Sequence, residues 1–479
     1  MTDAAHRPLG GEPPVGVTQA LARFATGTCP EAGRHTAAVV QALVDTVGVA
    51  VAARGRDGEP ILRAWARPDS PPGRATVWTT GGTTSTTVAA LLNGNAAHVL
   101  DYDDISPSMP MHPSAVLLPA LVAVAEAGCL PPTRLVEGYT TGAAAFRALA
   151  EILPQEDHYA RGWHTTSTVG RLATVAALAR LLGLSEDVTR NALGLASTLA
   201  SGARSNFGSM TKALHAGVAA RDAVMAVELA AAGFTSNPGE VEAEGGFLER
   251  LGEPGMAPPG DPADTLAERL EYWSASWPRD WGIKRYPACY GIHRALDAAL
   301  TARDRIAGRT VASVDVQVHR TGTAPLRKEP PTDHLQAKFS LEHCVALALV
   351  QGGVGLADFE SWDTWTDEVH DLASRVTLAE ADVPAVGDAA YTDGFAVLTV
   401  HLADGEVVQE RVDVTRGDGR NPMSDDELLV KFQDCCRTAG VDPETTAQLF
   451  QALSALPGQA TTPDLSEVLR RHHHRGGLT

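Results

Sequence analysis

The sequence is poor in aromatic residues and in positive charge. Phenylalanine, tryptophan and tyrosine together make up 5% of the 479 residues. There are 39 lysines and arginines against 58 aspartates and glutamates, which gives a formal net charge of −19. Nucleic acids and anionic membranes are bound by basic surfaces. The charge balance therefore argues against a nucleic-acid-binding or membrane-binding protein, and an anionic substrate would need local positive charge in its pocket.

The sequence also lacks the short motifs that mark common enzyme and metal sites. Its cysteines form no CxxC or CxxH pair, which disfavours a zinc site or a disulfide framework. They are Cys29, Cys129, Cys289, Cys344, Cys435 and Cys436. No GxSxG, HExxH, P-loop or dinucleotide-binding pattern is present, so the usual serine hydrolase, zinc protease and nucleotide-binding interpretations are disfavoured. We expect no metal ion.

Long hydrophobic runs and targeting signals are missing as well. The first 16 residues contain neither an apolar core nor an arginine-rich amphipathic pattern, so no leader peptide is predicted. The stretch over residues 115–130 is apolar, but Pro119 and Glu126 interrupt it and it is shorter than the roughly 20 residues of a membrane span. We expect a cytoplasmic protein.

What the sequence does contain is a long series of helical patterns rich in alanine and leucine. Apolar residues recur at i, i+3 and i+4 through residues 15–235, which is typical of packed helices. The predicted helices cover residues 36–53, 84–100, 113–127, 133–153, 167–182, 185–201 and 213–232. Seven consecutive helices with short links predict an all-helical bundle.

The pattern changes after Pro238. Residues 238–262 are rich in glycine, proline and glutamate, as expected of a loop or boundary. Beyond it, alternating valines at 314, 316 and 318 predict a half-buried strand. Two further predicted strands flank Asp404-Gly405, a dipeptide favoured in hairpin turns. They cover residues 395–402 and 406–414, after helical patterns at 340–351 and 362–373.

A helical pattern then opens at Ser424 and is predicted to return to the bundle. The predicted fold is therefore mainly α, with a large all-helical domain and a smaller α+β lid domain inserted before the C-terminal helices. The discontinuous helical domain comprises residues 15–279 and 419–470, and the lid comprises residues 280–418.

The first segment with chemical potential is residues 98–113. Asp101, Asp103 and Asp104 crowd together there, ahead of His112. Neighbouring carboxylates raise one another's pKa and can hold a proton for general acid catalysis. Helix capping within an acidic loop is the alternative interpretation.

Two further segments combine histidine, lysine and helix starts. His164 precedes a hydroxyl-rich helix start, where backbone N–H groups attract anions, although an incidental histidine in a capping turn is the alternative. Lys212 and His215 are three residues apart and share a helix face. A lysine in a buried, alanine-rich helix is costly unless an anion pairs with it, whereas an exposed face would need no partner.

The fourth segment lies at the predicted junction of the two domains, where clefts form. Lys284 could hold a carboxylate there. Cys289 could be an acid, a nucleophile or a small buried hydrophobic residue, and the last is the commonest role of a lone cysteine.

Taken together, these segments resemble the MmgE/PrpD family, which includes 2-methylcitrate dehydratases, cis-aconitate decarboxylases and iminodisuccinate epimerases. The resemblance runs from about residue 20 to residue 455. It is carried by residues 90–104, 112–114, 162–164, 211–217, 284–289, 337–341 and 421–424. It implies a homodimer, an active site in the cleft between the two domains, and no metal or organic cofactor. Decarboxylase members place in that cleft residues matching Asp101, His112, His164, Lys212 and Lys284.

Two positions depart from the decarboxylase pattern. Ile105 stands where that pattern has a threonine, and Cys289 stands where it has a histidine. With His215, these residues are predicted to contact the substrate. Losing a hydroxyl and an imidazole removes polar contacts, which predicts a substrate with fewer carboxylates than cis-aconitate.

The residue set and the resemblance together predict a cofactor-independent lyase that acts by proton transfer next to a carboxylate of a small carboxylic acid. Lys212 and Lys284 would hold carboxylates and stabilise enolate-like charge. His112 and His164 would form the acid/base pair, with Asp101 orienting one of them. Dehydration and decarboxylation both stay open. An epimerase or isomerase of a specialised metabolite is the alternative, and a catalytically silent scaffold subunit is a third hypothesis.

Overall fold

The computed structural model describes most of the chain. The described residues are 15–29, 31–66, 73–109, 111–153, 155–252, 261–323, 325–360, 365–385 and 394–462, with Leu465 and Leu469. Helices in the N-terminal half are α1 Val17–Thr26, α2 Thr36–Ala52, α3 Glu59–Ala66, α4 Thr86–Val99, α5 Ser114–Gly128, α6 Pro132–Ile152, α7 Gln155–Ala160, α8 Thr165–Leu182, α9 Glu186–Thr198, α10 Met210–Ala231, α11 Phe247–Leu251 and α12 Pro262–Ser276. The later helices are α13 Tyr290–Ile306, α14 His334–Ala337, α15 Leu341–Gln351, α16 Asp367–Ala373, α17 Asp425–Thr438 and α18 Pro443–Ser454. The strands are β1 Ala75–Thr76, β2 Thr83–Thr84, β3 Val311–His319, β4 Val376–Ala381, β5 Ala396–Leu402 and β6 Val407–Val412.

The fold confirms the predicted class, mainly α with a small α+β part. One hydrophobic core is built by side chains of α1, α2, α4 to α6 and α8 to α12, and also by α17 and α18. A second core contains α13, α15, α16 and the four-stranded sheet. The predicted domain limits at residues 279 and 418 stay predictions.

Small residues allow the central helices of the first core to pack closely. Gly94 of α4 meets Gly217 of α10, and a Cβ added at Gly94 would lie 2.9 Å from the Gly217 Cα. A Cβ added at Gly217 would lie 2.3 Å from the Leu91 carbonyl oxygen, which is closer than real contacts allow. The two glycines therefore allow the backbones of α4 and α10 to come into near contact.

The C-terminal helices pack against α2. Phe432 of α17 and Leu449 of α18 are buried in the first core. Ser424 begins α17 as its N-cap, where its hydroxyl accepts a hydrogen bond from the Glu427 N–H at 3.2 Å. The helix from 424 onward thus returns to the helical core.

The smaller unit is built on a sheet with strand order β4-β3-β5-β6. β3 is parallel to β4 and antiparallel to β5, and β5 pairs with β6 through the predicted Asp404-Gly405 turn. Val314, Val316 and Val318 face the core as predicted. The sequence pattern did not reveal β4. Residues 361–364, at the start of the helix predicted from 362, lie outside the described residues.

One helical segment among the described residues, Ala32–Ala52, has the length and apolar character of a membrane span. Most of it is buried inside the helical core, and core helices share this property. Helix α5, which contains the apolar stretch singled out from the sequence, is likewise buried.

Candidate active site

The chain leaving α4 places three aspartates in three different environments. Asp101 follows the end of α4 with a left-handed backbone (φ 53°), a conformation that aspartate tolerates better than most residues. Asp103 and Asp104 are fully buried. The three carboxylates therefore have different partners, although they are neighbours in sequence.

Asp101 neutralises two buried lysines. Lys212 Nζ donates to its Oδ1 at 2.5 Å, and Lys284 Nζ lies 3.2 Å from Oδ2 and donates to the Asp101 carbonyl at 2.7 Å. Burial alone would raise the pKa of Asp101, but the two ammonium groups and His112 hold it well below its usual range. Three of the predicted site residues thus form one charged cluster drawn from distant parts of the chain.

Asp103 lies between two histidines. Its Oδ2 is 2.8 Å from His98 Nδ1 and 3.2 Å from His112 Nδ1. Burial lowers the pKa of both imidazoles, that of His112 to about 4, while the Asp103 carboxylate opposes this shift. His112 Nε2 then lies 3.8 Å from Asp101 Oδ1. A carboxylate at Nδ1 favours the tautomer whose Nε2 is free to take a proton.

Asp104 behaves differently from its neighbours. It accepts hydrogen bonds from the Ser114 N–H at 3.0 Å and from the Ser114 hydroxyl, at the start of α5. Burial, with a smaller contribution from Asp45 and Asp103, raises its pKa to about 8. The expectation that neighbouring carboxylates raise one another's pKa is therefore wrong for Asp101 and for Asp103, where cationic and imidazole partners lower the pKa.

His164 and His215 form a second pair. His164 is the residue immediately before α8, as predicted, and its Nδ1 is 3.1 Å from His215 Nδ1. Its ring stacks on that of His98 with centroids 5.9 Å apart. Burial lowers the pKa of His164 well below its usual value and that of His215 to about 4. The site thus holds four neutral imidazoles beside the charged cluster.

A small cavity of about 30 Å³ lies against this cluster, enough for one or two water molecules. Its ionisable lining residues include His98, Asp101, Lys212 and Lys338. The Lys338 ammonium is buried and donates to the Leu100 carbonyl at 2.7 Å, and burial lowers its pKa to about 8.

Sequence reasoning missed His98 and Lys338 as site residues. Lys338 lies in segment 337–341, one of the segments that carry the family resemblance. A single lysine beside apolar residues was the feature of that segment that could have indicated a site residue. His98 precedes Asp101 by three residues at the end of a predicted helix, a spacing that placed it near the site without showing its contact with Asp103.

Ile105 and Cys289 are not among the residues that line this cavity, and neither are His112, His164, His215 and Lys284. The backbone of Ile105 exchanges two hydrogen bonds with Gly282, at 2.9 and 2.7 Å, which join the acidic loop to the segment before Lys284. The Cys289 N–H donates to the Lys338 carbonyl at 2.9 Å, and burial raises the pKa of its thiol to about 11. A neutral thiol suits a packing role, and the predicted substrate contacts of both residues stay predictions.

Four of these side chains could present ligands to one metal ion. Nitrogen or oxygen atoms of His98, Asp101, Asp103 and His112 lie within 4.8 Å of one another. However, the Asp101 carboxylate already contacts the Lys212 and Lys284 ammonium groups, which would repel a divalent cation bound to the same oxygens. The arrangement suits proton transfer better than metal binding.

The chain matches the models of a known protein family over most of its length. The model of the MmgE/PrpD N-terminal domain matches residues 19–257, and that of the MmgE/PrpD C-terminal domain matches residues 286–455. The chain belongs to the MmgE/PrpD family. The resemblance inferred from the sequence motifs is confirmed.

Curated relatives of this MmgE/PrpD protein include several decarboxylases. It is 28% identical over 362 residues to cis-aconitate decarboxylase of Homo sapiens, covering 72% of each chain. It is 28% identical to the cis-aconitate decarboxylase-like protein oryM of Aspergillus oryzae, covering 80% of this chain and 81% of the relative. For cis-aconitate decarboxylase of Aspergillus terreus, the identity is 26% and the coverage is 76% and 77%. Family and relatives together support an enzyme with lyase activity.

Proposed function

We propose that the protein is a cofactor-independent decarboxylase of a small unsaturated polycarboxylic acid. The observation that carries the proposal is the convergence of buried ammonium groups and neutral imidazoles around Asp101, beside a small cavity. The decarboxylase relatives favour loss of carbon dioxide over dehydration. They make cis-aconitate the first acid to test, whereas Ile105 and Cys289 predict an acid with fewer carboxylates, so unsaturated dicarboxylates are tested beside it.

The ammonium groups supply substrate binding and charge stabilisation. In the unliganded site, Lys212 and Lys284 both contact Asp101. A substrate carboxylate entering beside Asp101 would share these cations. Because the site is buried, fixed positive charge there acts more strongly on developing enolate-like charge than it would in water.

The imidazoles supply the proton. The bond from the substrate skeleton to the leaving carboxylate breaks, carbon dioxide departs, and the electron pair remains on the skeleton as a delocalised carbanion. A proton from a histidinium then adds to that carbon, and solvent reprotonates the imidazole. Burial keeps His112 and His164 neutral in the unliganded site, and a bound polyanion raises the pKa of both, so that one becomes a proton donor.

The test is incubation of the full chain with small unsaturated and hydroxy polycarboxylates in heavy water, followed by proton NMR. We expect carbon dioxide loss from at least one acid, with one deuterium in the product. His112→Ala and His164→Ala should each lower kcat by about 100-fold or more, the usual contribution of a general acid or base. His401→Ala, at a half-exposed position on β5, is the matched control and should keep wild-type activity.

Three results would contradict the proposal in different ways. Full activity in both site variants would remove the two histidines from the mechanism. Deuterium exchange without loss of carbon dioxide would support the alternative hypothesis that the protein is an epimerase. No change in any acid would favour the scaffold hypothesis.

The homodimer and the cytoplasmic location are also proposals. Light scattering coupled to size-exclusion chromatography tests the first, with a mass of twice 50.2 kDa expected. Fractionation of the native cell tests the second.

A further inference from the structure

A second, larger cavity adjoins the active-site cavity. Its volume is about 220 Å³, and Asp57 and Lys338 line both cavities. We call the smaller space the inner cavity and the larger one the outer cavity. The two shared side chains form the boundary between them.

The inner cavity alone cannot hold a polycarboxylic acid. Its volume of about 30 Å³ admits one or two water molecules, whereas the outer cavity is several times larger. A substrate with one carboxylate beside Asp101 and Lys212 must therefore place the rest of its skeleton elsewhere. The outer cavity beyond Lys338 adjoins this space and offers about 220 Å³.

The charges at the boundary favour an anion in the outer cavity. Lys338 is 3% exposed and uses one of its three ammonium donors on the Leu100 carbonyl. Within the described part of the chain, no carboxylate is within ion-pair distance of this ammonium group. Burying an ammonium group without a counter-ion is costly, so a ligand carboxylate would relieve that cost.

The other ionic groups of the outer cavity are already paired across the two domains. Arg56 contacts Glu360 at 2.5 Å, and His334 contacts Asp57 at 3.0 Å. Lys338 is thus the cation that can bind a carboxylate in the outer cavity. Asp57, which lines the same boundary, would repel that carboxylate.

We propose that the outer cavity is the subsite for the substrate carboxylate farthest from the reacting carbon, and that Lys338 is the specificity-determining residue that binds it. The inference rests on the proposed function for the substrate class. The binding that it describes can nevertheless be measured without turnover.

The experiment is calorimetric titration of the full chain with two saturated, unreactive acids. Propane-1,2,3-tricarboxylate carries a terminal carboxylate for the outer cavity, and methylsuccinate (propane-1,2-dicarboxylate) lacks it. Lys338→Gln should weaken tricarboxylate binding by about tenfold or more, because one charge-assisted hydrogen bond is lost, and should change methylsuccinate binding by less than about twofold. Lys328→Gln, at an exposed lysine of the same domain, is the matched control and should change neither.

A second variant tests the same boundary by a gain in affinity. Asp57 has a left-handed backbone (φ 43°), which asparagine also adopts readily. Asp57→Asn should strengthen tricarboxylate binding by about threefold or more, because a carboxylate next to the subsite is removed. A damaged fold would not produce tighter binding, so this variant decides the question if Lys338→Gln fails to fold.

The outcomes separate this inference from the proposed function. Equal weakening of both acids in Lys338→Gln, or no weakening, would overturn the subsite, as would tricarboxylate binding no tighter in Asp57→Asn. If wild-type protein decarboxylates an acid while these variants bind as wild type, only the subsite fails. If Lys338 sets tricarboxylate selectivity but no acid is turned over, the subsite stands and the proposed decarboxylation fails.

Discussion

Replacing Asp103 with asparagine tests whether the buried carboxylate controls two imidazoles at once. Asp103 Oδ2 contacts the Nδ1 atoms of both His98 and His112, at 2.8 and 3.2 Å. Asparagine keeps one oxygen acceptor but presents an NH₂ donor on its other side. Because both imidazoles contact Oδ2, an asparagine oxygen at that position can still accept from both, but the negative charge that favours their Nδ1–H tautomers is lost in Asp103→Asn.

The expected size of the effect follows from removing the charge on the oxygen that both imidazoles contact and that orients them. Each of the two hydrogen bonds becomes a neutral one, which weakens it by about 1 kcal/mol, or about 2 kcal/mol for the pair. If that orientation is required in the transition state, kcat falls by roughly 10- to 150-fold, since about 1.4 kcal/mol corresponds to a factor of ten. The carboxylate also raises the pKa of both imidazoles against the lowering effect of burial. Without it the pKa of each falls further, and because the proposed proton donor must be protonated, the alkaline limb of the kcat profile should move to lower pH.

The assay is steady-state decarboxylation as a function of pH, with the free energy of unfolding measured in parallel. Asp104→Asn is the matched control. The pKa of about 8 keeps Asp104 protonated at neutral pH, and its partner is Ser114, so a neutral amide should preserve kcat within about threefold. An Asp103→Asn enzyme with unchanged kcat and an unmoved alkaline limb would refute the role assigned to Asp103.

Two further predictions concern stability. Burial raises the pKa of Asp104 from its ordinary value of 3.8 to about 8. Protonated Asp104 therefore contributes to the free energy of unfolding fully below pH 3.8, and this contribution is lost as the pH rises through about 8. Asp104→Asn should flatten the pH dependence of the free energy of unfolding, measured by urea unfolding at pH 5 to 9. Lys431 pairs with buried Asp45 at 2.6 Å, so Lys431→Met should lower the free energy of unfolding by about 3–5 kcal/mol. The double variant with Asp45→Asn should recover part of that loss, and equal stability of wild type and Lys431→Met would contradict the pairing.

The sequence predicted the helical part of the fold well because its signal is local. The apolar period over residues 84–100 corresponds to α4 at Thr86–Val99, and that over 213–232 corresponds to α10 at Met210–Ala231. Strand β4 was missed because it lies at the edge of the sheet and is mostly exposed, which leaves no clear alternation. Helix α12, at Pro262–Ser276, was missed because its start adjoins the glycine- and proline-rich stretch.

The site was predictable in its members more than in its geometry. Lys212 is 111 residues from Asp101 in the sequence, and Lys284 is 183 residues from it. No rule of sequence spacing predicts that residues so far apart will be in contact. Their association came from the family resemblance. The resemblance in turn could not show that Lys338 divides two cavities, because that depends on how the smaller domain sits against the segment around Asp57.

The contact between Gly94 and Gly217 has a consequence for how the enzyme could be re-engineered. Helices α4 and α10, which position Asp101 and Lys212, approach as closely as their backbones permit. Larger side chains therefore cannot be introduced at this contact without moving the helices. The opposite wall is formed by side chains of the smaller domain, including Leu335 and Phe339. A library that varies these two positions should broaden the range of accepted acids, whereas one directed at the glycine contact should yield mostly unfolded protein.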